Sequence, residues 1–334
     1  MMTDIVIPDL DHLRRAYAST SQATQVTPLL ESRPLAGITG AAQVFVKPES
    51  LQWAGSFKVR GAYWRLKQLS AEEAGRGVVA YSSGNFAQGL AAAGQALGIP
   101  VTIVMPIDAP KAKSDATASY GARVIQTEHG ERAREEVASE RARAISQEEG
   151  LTLLHPFDDP EIVAGQGGAG LEAFDQLQAK SARADIVFCP VGGGGLIGGV
   201  SLAFHYLSPQ TEIIAVEPQG FNGMGASLAA SAIETVPLGD RSICDGLMAR
   251  RPGVAPFAAM TKAGARSLTV TDAEVRSAMK LAFERLKLVL EPSGAASLAA
   301  LLSGKTDVAG KTVLVVCSGG NVALADFMRH VGDA

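Results

Sequence analysis

The sequence predicts an α/β protein made of two doubly wound, open parallel sheets. From residue 77 almost to the end of the chain, short runs of β-branched residues alternate with longer helical segments. Strands alternating with helices in this way are typical of parallel sheets covered by helices. Runs such as 184–191 and 311–317 are continuously apolar, as expected for strands buried on both faces.

The helix that begins after Asn85 illustrates the pattern, because its apolar residues recur three or four positions apart and it ends at Gly98, before Pro100. The segment 131–150 mixes charges of both signs on an alanine-rich helix and predicts a solvated face. The predicted elements, in order, are a strand in 77–81, helix 86–98, strand 100–106, helix 109–121, strand 122–128, helix 131–150, strand 151–157, a helix near 161–179, strand 184–191, a helix near 196–207, strand 211–218 and strand 311–317.

Composition excludes several classes of protein. With 334 residues, 47% of them hydrophobic and 19% charged, the chain is long enough for a large core and is not disordered. Its 30 basic and 34 acidic residues give a net charge of −4 without a basic stripe, so we expect no nucleic-acid partner. No leader peptide or membrane-length apolar run is recognisable, and Cys189, Cys244 and Cys317 are too dispersed for a disulfide framework. We therefore expect a cytoplasmic protein with no membrane partner.

Glycine is the unusual residue, with 36 of 334 positions against the roughly 7% of an average protein. Residues 192–199 contain six of these glycines and follow a predicted strand. Such a loop at a helix N-terminus predicts a phosphate cradle. Gly193, Gly195 and Gly198, with Glu217 ending the next strand, also fit a dinucleotide fingerprint, so an NAD-dependent oxidoreductase remains an alternative.

Two other turns after strands carry polar groups. Residues 82–85, Ser-Ser-Gly-Asn, lie at a predicted helix N-terminus, where a carboxylate would bind. Helix capping by Ser83 or Asn85 is the alternative explanation. Residues 317–321, Cys-Ser-Gly-Gly-Asn, follow the last predicted strand.

Lys58 is the candidate nucleophile. We expect Ser56 to cap the following helix, which places Lys58 in its first turn, where the helix dipole and burial lower the lysine pKa. A neutral amine at this position can attack a carbonyl, although an ordinary surface lysine is the alternative. The five histidines lie far apart in the sequence and predict no catalytic metal, and a serine-hydrolase motif is absent.

Five motifs, taken together, resemble a known family. In chain order they are GSFKVRGA, SSGNFAQG, the tetraglycine loop, EPSGAA and CSGGN. They resemble the β-family (fold type II) of pyridoxal 5′-phosphate enzymes, in its threonine/serine dehydratase and serine racemase branch, over about residues 25–325. The resemblance implies a tryptophan synthase β-like fold, with the cofactor in the cleft between two domains. It also implies a large domain of residues 1–70 plus 155–334, a small mobile domain of residues 71–154, and a homodimer.

The resemblance also implies site residues. Lys58 would hold the cofactor covalently and, once released, act as general base, while Ser83 would face it as a second catalytic group. The cofactor-binding residues would be Phe57, Lys58, Asn85, Gly192, Gly193, Gly194, Gly195, Gly246, Glu291 and Ser318. The substrate-binding residues would be Ser82, Ser83, Gly84, Asn85 and Phe86.

Two positions depart from the family pattern. Phe86 stands where many members have histidine, which makes a residue beside the substrate carboxylate apolar. Many members bind a divalent cation through a glutamate and an aspartate six residues later. Here Glu217 is followed by Gly223, so a carboxylate ligand is missing and a metal site is doubtful.

The expected function is dehydration and deamination of a β-hydroxy amino acid of the threonine/serine type, giving a 2-oxo acid and ammonia. The stretch 155–159 resembles the dehydratase form of its loop, whereas Ser83 keeps an amino-acid racemase open. Dehydration of 3-hydroxyaspartate or phenylserine is a further alternative. The sequence assigns no cation that would bind a second substrate carboxylate.

Overall fold

Two sheets organise the chain. The computed structural model describes residues 6–130, 132, 134–237, 239 and 241–332. The strands are β1 (Leu30–Glu31), β2 (Gln43–Pro48), β3 (Val78–Tyr81), β4 (Val101–Pro106), β5 (Arg123–Thr127), β6 (Thr152–Leu153), β7 (Ile186–Pro190), β8 (Glu212–Pro218), β9 (Arg266–Val270) and β10 (Thr312–Cys317). One sheet has the order β1-β2-β10-β7-β8-β9 and the other β5-β4-β3-β6. Apart from the antiparallel edge strand β1, all neighbours are parallel, which confirms the predicted α/β class.

Helices cover both sheets. They are α1 (Leu10–Thr20), α2 (Arg33–Thr39), α3 (Lys58–Lys67), α4 (Ala71–Arg76), α5 (Asn85–Leu97), α6 (Lys111–Ser119), α7 (Arg134–Glu149), α8 (Pro160–Gln166), α9 (Gly168–Ala179), α10 (Gly195–Leu207), α11 (Gly223–Ala230), α12 (Val254–Lys262), α13 (Asp272–Leu281), α14 (Pro292–Leu302) and α15 (Leu324–Gly332). Short 3₁₀ segments lie at Glu49–Leu51, Trp53–Gly55 and Asp245–Leu247, and a π-helical turn at Ala282–Leu286. Within the described ranges, none of the helices combines the length and apolar character needed to cross a bilayer.

Most predicted elements form, but the strand predicted over 151–157 is shortened to Thr152–Leu153 and one predicted helix is divided. The helix after Asn85 ends at Leu97, and Gly98 closes it with a left-handed φ of 67°. The single helix predicted near 161–179 is instead divided into α8 and α9 at Gly167. A Cβ at Gly199 would lie 2.4 Å from the Gly167 nitrogen, so α10 packs directly against this break. Of the predicted helix 131–150, residues 131 and 133 lie outside the described residues.

The topology brings the polar turns toward one region. β10 lies between β2 and β7, all three parallel, so the turns that follow them share one edge of the larger sheet. The chain passes from β2 to α3, which begins at Lys58. Val59, Ala62 and Leu66 of α3 are buried in the same apolar core as β3 and α5. Lys58 therefore lies where the two sheet systems meet.

Candidate active site

Lys58 is the first residue of α3 and its amine is enclosed. Nζ donates a hydrogen bond to the Pro156 carbonyl oxygen at 2.9 Å. It also lies 5.2 Å from the ring centre of Phe57 and 5.5 Å from that of Phe86. Burial disfavours the charged form and lowers the pKa of Lys58 to about 8. A substantial fraction of the amine is therefore neutral near physiological pH and available as a nucleophile or base.

Ser56 does not cap α3, so this expectation is wrong. Phe57 occupies the N-cap position without a side-chain hydrogen bond, and the buried Ser56 hydroxyl has no partner among the described residues. Ser56 is extended instead and forms a β-bridge with Gly319, while the Phe57 amide donates to the Ser318 carbonyl at 3.2 Å. These backbone contacts attach the start of α3 to the turn after β10.

The glycine loop forms a tight cradle between β7 and α10. Gly194 has a φ of 99°, which only glycine adopts readily. A Cβ at Gly192 would lie 2.7 Å from the Gly246 carbonyl oxygen, and one at Gly193 only 2.2 Å from the Phe157 ring. The loop leads into the N-terminus of a 13-residue helix, where free amides favour an anion. The geometry fits a phosphate group.

The side chains of the turn at 82–85 do not cap the helix that follows. Gly84 is the N-cap of α5 and no side chain closes it, so the capping alternative for Ser83 and Asn85 is wrong. The Ser82 hydroxyl accepts the Gly84 amide at 3.2 Å. Phe86 is 2% exposed and packs in the core around α3 and α5, beside the Lys58 amine.

Three predicted motifs meet at Asn85. Its Nδ2 donates to Glu291 Oε1 at 2.5 Å, and its Oδ1 accepts from Asn321 Nδ2 at 2.8 Å. Burial raises the pKa of Glu291 to about 7, since its carboxylate is withdrawn from water. The neighbouring Gly246 amide donates to the Ser293 hydroxyl at 2.9 Å. Ser318 is also buried, in the turn that receives the Phe57 amide.

Arg134 is a site residue that the sequence did not indicate. Its segment predicted a solvated face, yet Nη2 of Arg134 donates to the Ser83 hydroxyl at 3.4 Å. Nη1 contacts Asp108 Oδ2 at 3.1 Å. The arginine lies at the start of α7, and only the packing of α7 against the small sheet directs it toward residues 82–85. Its Nε also lies 3.2 Å from Glu135 Oε1, so the guanidinium adjoining the predicted carboxylate-binding turn is paired with two carboxylates.

A buried ionic cluster lies behind Lys58. Arg60 donates to both carboxylate oxygens of Glu49, at 2.7 and 2.9 Å, and of Glu172, at 2.7 and 2.8 Å. Lys47 Nζ donates to Glu172 at 2.8 Å. All four side chains are at most 1% exposed. The cluster joins β2, α3 and α9. The sequence did not predict it, although Arg60 lies only two residues after Lys58.

The histidines are less isolated than the sequence suggests. The His155 ring lies 4.6 Å from the Phe157 ring, edge to face, and its Nε2 lies 3.3 Å from the Tyr81 hydroxyl. Its Nδ1 faces the amides of Phe157 and Asp158. The segment 155–158 thus spans from the small sheet to Lys58 and the glycine cradle.

Glu217 does not fit a cation site. Its carboxylate accepts the amides of Met224 and Gly225 and the Ser267 hydroxyl, at 2.8, 2.8 and 2.6 Å. A Cβ at Gly223 would lie 2.5 Å from the Arg250 carbonyl oxygen, so an aspartate cannot replace this glycine without a backbone shift. Across the described residues there is no group of three histidine, cysteine or acidic side chains that could hold a metal. The same three bonds leave Glu217 unsuited to bind a ribose, as the oxidoreductase alternative requires.

The residues present fit pyridoxal phosphate. A buried amine with a lowered pKa suits its aldehyde, and the glycine cradle at the start of α10 suits its phosphate. Phe57 beside the amine suits an aromatic ring.

Known proteins resemble the chain over nearly its whole length. A family model described as pyridoxal-phosphate dependent enzyme matches residues 20–319. An L-threonine ammonia-lyase of Thermotoga maritima is 40% identical, over 94% of this chain and 75% of its own length. An L-threo-3-hydroxyaspartate ammonia-lyase of Saccharomyces cerevisiae is 36% identical, over 98% of this chain and 96% of its own. The structure of maize serine racemase superposes with a TM-score of 0.90 at 33% identity, covering 98% of each chain.

Proposed function

The chain belongs to the family of pyridoxal-phosphate-dependent enzymes, and on this basis we propose that it is an ammonia-lyase of a β-hydroxy amino acid of the threonine/serine type. Loss of the α-proton and the β-hydroxyl removes water from the substrate. Hydrolysis then returns water and releases ammonia, which leaves a 2-oxo acid. The likeness to a threonine ammonia-lyase over 94% of the chain supports this choice of reaction.

The contacts and the lowered pKa of Lys58 are the main support for this proposal. When bound, pyridoxal phosphate supplies an aldehyde for the substrate amine and a conjugated ring that takes up the electron pair left at the α-carbon. Lys58 then receives the α-proton on Nζ, and the Pro156 oxygen, 2.9 Å away, stabilises the resulting ammonium. Without its lowered pKa, Lys58 would be almost entirely protonated near neutral pH and a poor base.

The remaining site residues hold the reactants in this proposal. The Gly192–Gly195 amides would bind the phosphate at the start of α10, and the turn at 82–85, at the N-terminus of α5, would bind the substrate carboxylate. Ser318, buried in the turn after β10, would face the ring nitrogen. A hydroxyl there leaves that nitrogen neutral and favours expulsion of the β-hydroxyl. The division into a large domain and a mobile domain of residues 71–154 agrees with a separate four-stranded sheet between Val78 and Leu153.

A second candidate substrate is 3-hydroxyaspartate, because Arg134 provides a cation that the sequence did not assign. Its guanidinium contacts Ser83 in the carboxylate-binding turn at 3.4 Å. A second substrate carboxylate within reach of this group would gain a charge-assisted hydrogen bond. The relative from Saccharomyces cerevisiae, 36% identical to this chain, is named for that activity.

Location and assembly complete the proposal. We assign the enzyme to the cytoplasm, which agrees with three buried, free cysteines. We assign it to a homodimer, which agrees with Leu324 and Met328, 74% and 62% exposed and one helical turn apart on α15. Sedimentation of the purified protein measures the assembly, and a monomer at micromolar concentration would contradict this part.

One set of assays tests the function. The purified protein should show a visible absorption band that borohydride abolishes, with the cofactor mass added at Lys58. Threonine, serine, 3-hydroxyaspartate and 3-phenylserine are then compared for oxo-acid and D-isomer formation. Threonine or serine as the best substrate supports the main proposal. A preference for 3-hydroxyaspartate that disappears in Arg134→Gln supports the second, and a colourless protein that binds NAD overturns both.

A further inference from the structure

His155 lies at the junction of the small sheet and the site. It follows β6, whose neighbour β3 ends at Tyr81, and its Nε2 lies 3.3 Å from the Tyr81 hydroxyl. Its other ring nitrogen, Nδ1, lies 2.9 Å from the Asp158 amide and 3.4 Å from the Phe157 amide. Because amides only donate, Nδ1 must be the unprotonated acceptor, and the ring proton is on Nε2.

This ring closes a short turn whose other groups serve the site. The carbonyl of Pro156 accepts the hydrogen bond from Lys58 Nζ at 2.9 Å. Phe157 lies against Gly193 of the cradle. The Asp158 carboxylate accepts the Ala255 amide at the start of α12, at 3.0 Å. Residues 155–158 therefore contact both the Lys58 amine and Gly193 of the glycine loop, and their conformation affects the relative position of the two.

We propose that His155 is a positioning residue, whose Nδ1 folds the 155–158 turn so that the Pro156 carbonyl orients the Lys58 amine. The inference rests on the proposed function and deepens it. When the amine is neutral, donating one hydrogen to this carbonyl restricts the directions that the nitrogen lone pair can take. A displacement of about 1 Å in such a group lowers a rate by up to roughly a hundredfold.

The charges around His155 agree with a neutral ring. Burial lowers the pKa of His155, and the Lys58 and Arg143 cations lower it further, against the opposing effect of Asp158 and Asp159. Protonation of Nδ1 would place a donor against two amide donors and open the turn. Since the pKa lies below the ordinary histidine value, this occurs on the acid side of neutrality.

Two substitutions of His155 distinguish its positioning role from the effect of its side-chain volume. Asparagine places its amide oxygen near the position of Nδ1 and keeps the acceptor, whereas glutamine reaches toward Nε2 and loses it. We expect His155→Asn to retain kcat within about threefold. His155→Gln should lower kcat by about 10- to 100-fold with little change in KM. His205→Asn and His205→Gln, on α10, are the matched controls and should leave both constants unchanged. The acid limb that Lys58 sets should remain in His155→Asn, and only the further loss of kcat at pH values below the ordinary histidine pKa should disappear.

Two further measurements need no turnover, so they separate this inference from the proposed function. Nitrogen-15 spectra of the wild-type holoenzyme should place the His155 proton on Nε2 at neutral pH. The pH midpoint of the cofactor's visible band should shift in His155→Gln and not in His155→Asn. A proton on Nδ1, or equal kcat and equal midpoints in the two variants, would overturn the inference. The nitrogen-15 test holds even where His155→Gln does not fold.

Discussion

Asn85 and Glu291 are joined by a hydrogen bond of 2.5 Å although 206 positions separate them in the chain. Asn85 begins α5 beside the small sheet, and Glu291 precedes α14, which packs on the large one. The bond therefore links the two sheet systems across the site. Its acceptor is a buried carboxyl group with a pKa raised to about 7.

Glu291→Gln should stabilise the enzyme progressively as the pH rises. Folding raises this carboxyl pKa above its ordinary value of 4.5, so the stability it provides is complete below about pH 4.5 and is lost through about pH 7. The variant should exceed the wild type by less than about 1 kcal/mol at pH 5 and by up to roughly 3 kcal/mol at pH 8. Urea unfolding at both pH values, with the exposed Glu284→Gln as control, measures this difference. A difference independent of pH would contradict the prediction.

Lys58→Ala should abolish oxo-acid formation. It removes the amine that takes the α-proton, and loss of a general base lowers rates by about 10²- to 10⁴-fold. Steady-state assays on each substrate check this, together with the visible spectrum. Lys67→Ala, at the exposed end of the same helix, should retain wild-type turnover. Equal turnover in the two variants would remove Lys58 from the mechanism.

Gly193→Ala should weaken cofactor binding. The new Cβ would lie 2.2 Å from the Phe157 ring, so either the ring or the cradle must move. Overpacking of this kind corresponds to a rise in Kd between about fivefold and a hundredfold. Titration of the apoenzyme with pyridoxal phosphate, followed by absorbance, gives the constant. Gly37→Ala, where no atom lies within 4 Å of the added methyl, should bind normally.

Removal of divalent cations should leave the enzyme unchanged. The Glu217 carboxylate is satisfied by two amides and a hydroxyl, and Gly223 leaves no space for a second carboxylate. After dialysis against EDTA, turnover and Tm should equal those of the untreated protein. Activity that is lost and then restored by Mg²⁺ or Ca²⁺ would disprove this.

Arg60→Met should be strongly destabilising. It leaves the Glu49 and Glu172 carboxylates buried without their main counter-charge, at a cost of about 3–5 kcal/mol. Urea unfolding measures the loss. Arg14→Met, whose ion pair with Asp11 is exposed, should change stability by less than about 0.5 kcal/mol. Similar effects of the two substitutions would mean that the buried cluster is not a structural requirement.

The sequence by itself determined the fold class and the approximate places of the polar turns. Strand runs, helical periodicity and glycine stops are local patterns, and they placed β3, α5, β7, α10 and β10 within a few residues. The meeting of the turns at 192–195 and 318–321 follows from this, because polar groups beyond parallel strand ends share one edge of a sheet. The turn at 82–85 follows β3 of the other sheet, so its place at the site depends on how the two sheets pack. The roles assigned to individual site residues remain predictions.

Tertiary structure alone decided which side chains face one another. Arg134 turns toward Ser83, although its segment predicted a solvated helix face. His155 turns toward Tyr81 and residues 157–158, contacts that no local sequence pattern predicted. Ser56 pairs with Gly319 instead of capping α3, because the turn after β10 lies beside it. Such contacts depend on packing between segments distant in the chain, which hydrophobic periodicity does not encode. Periodicity fixes only which face of an element is buried, and the partner on that face depends on the arrangement of the whole fold.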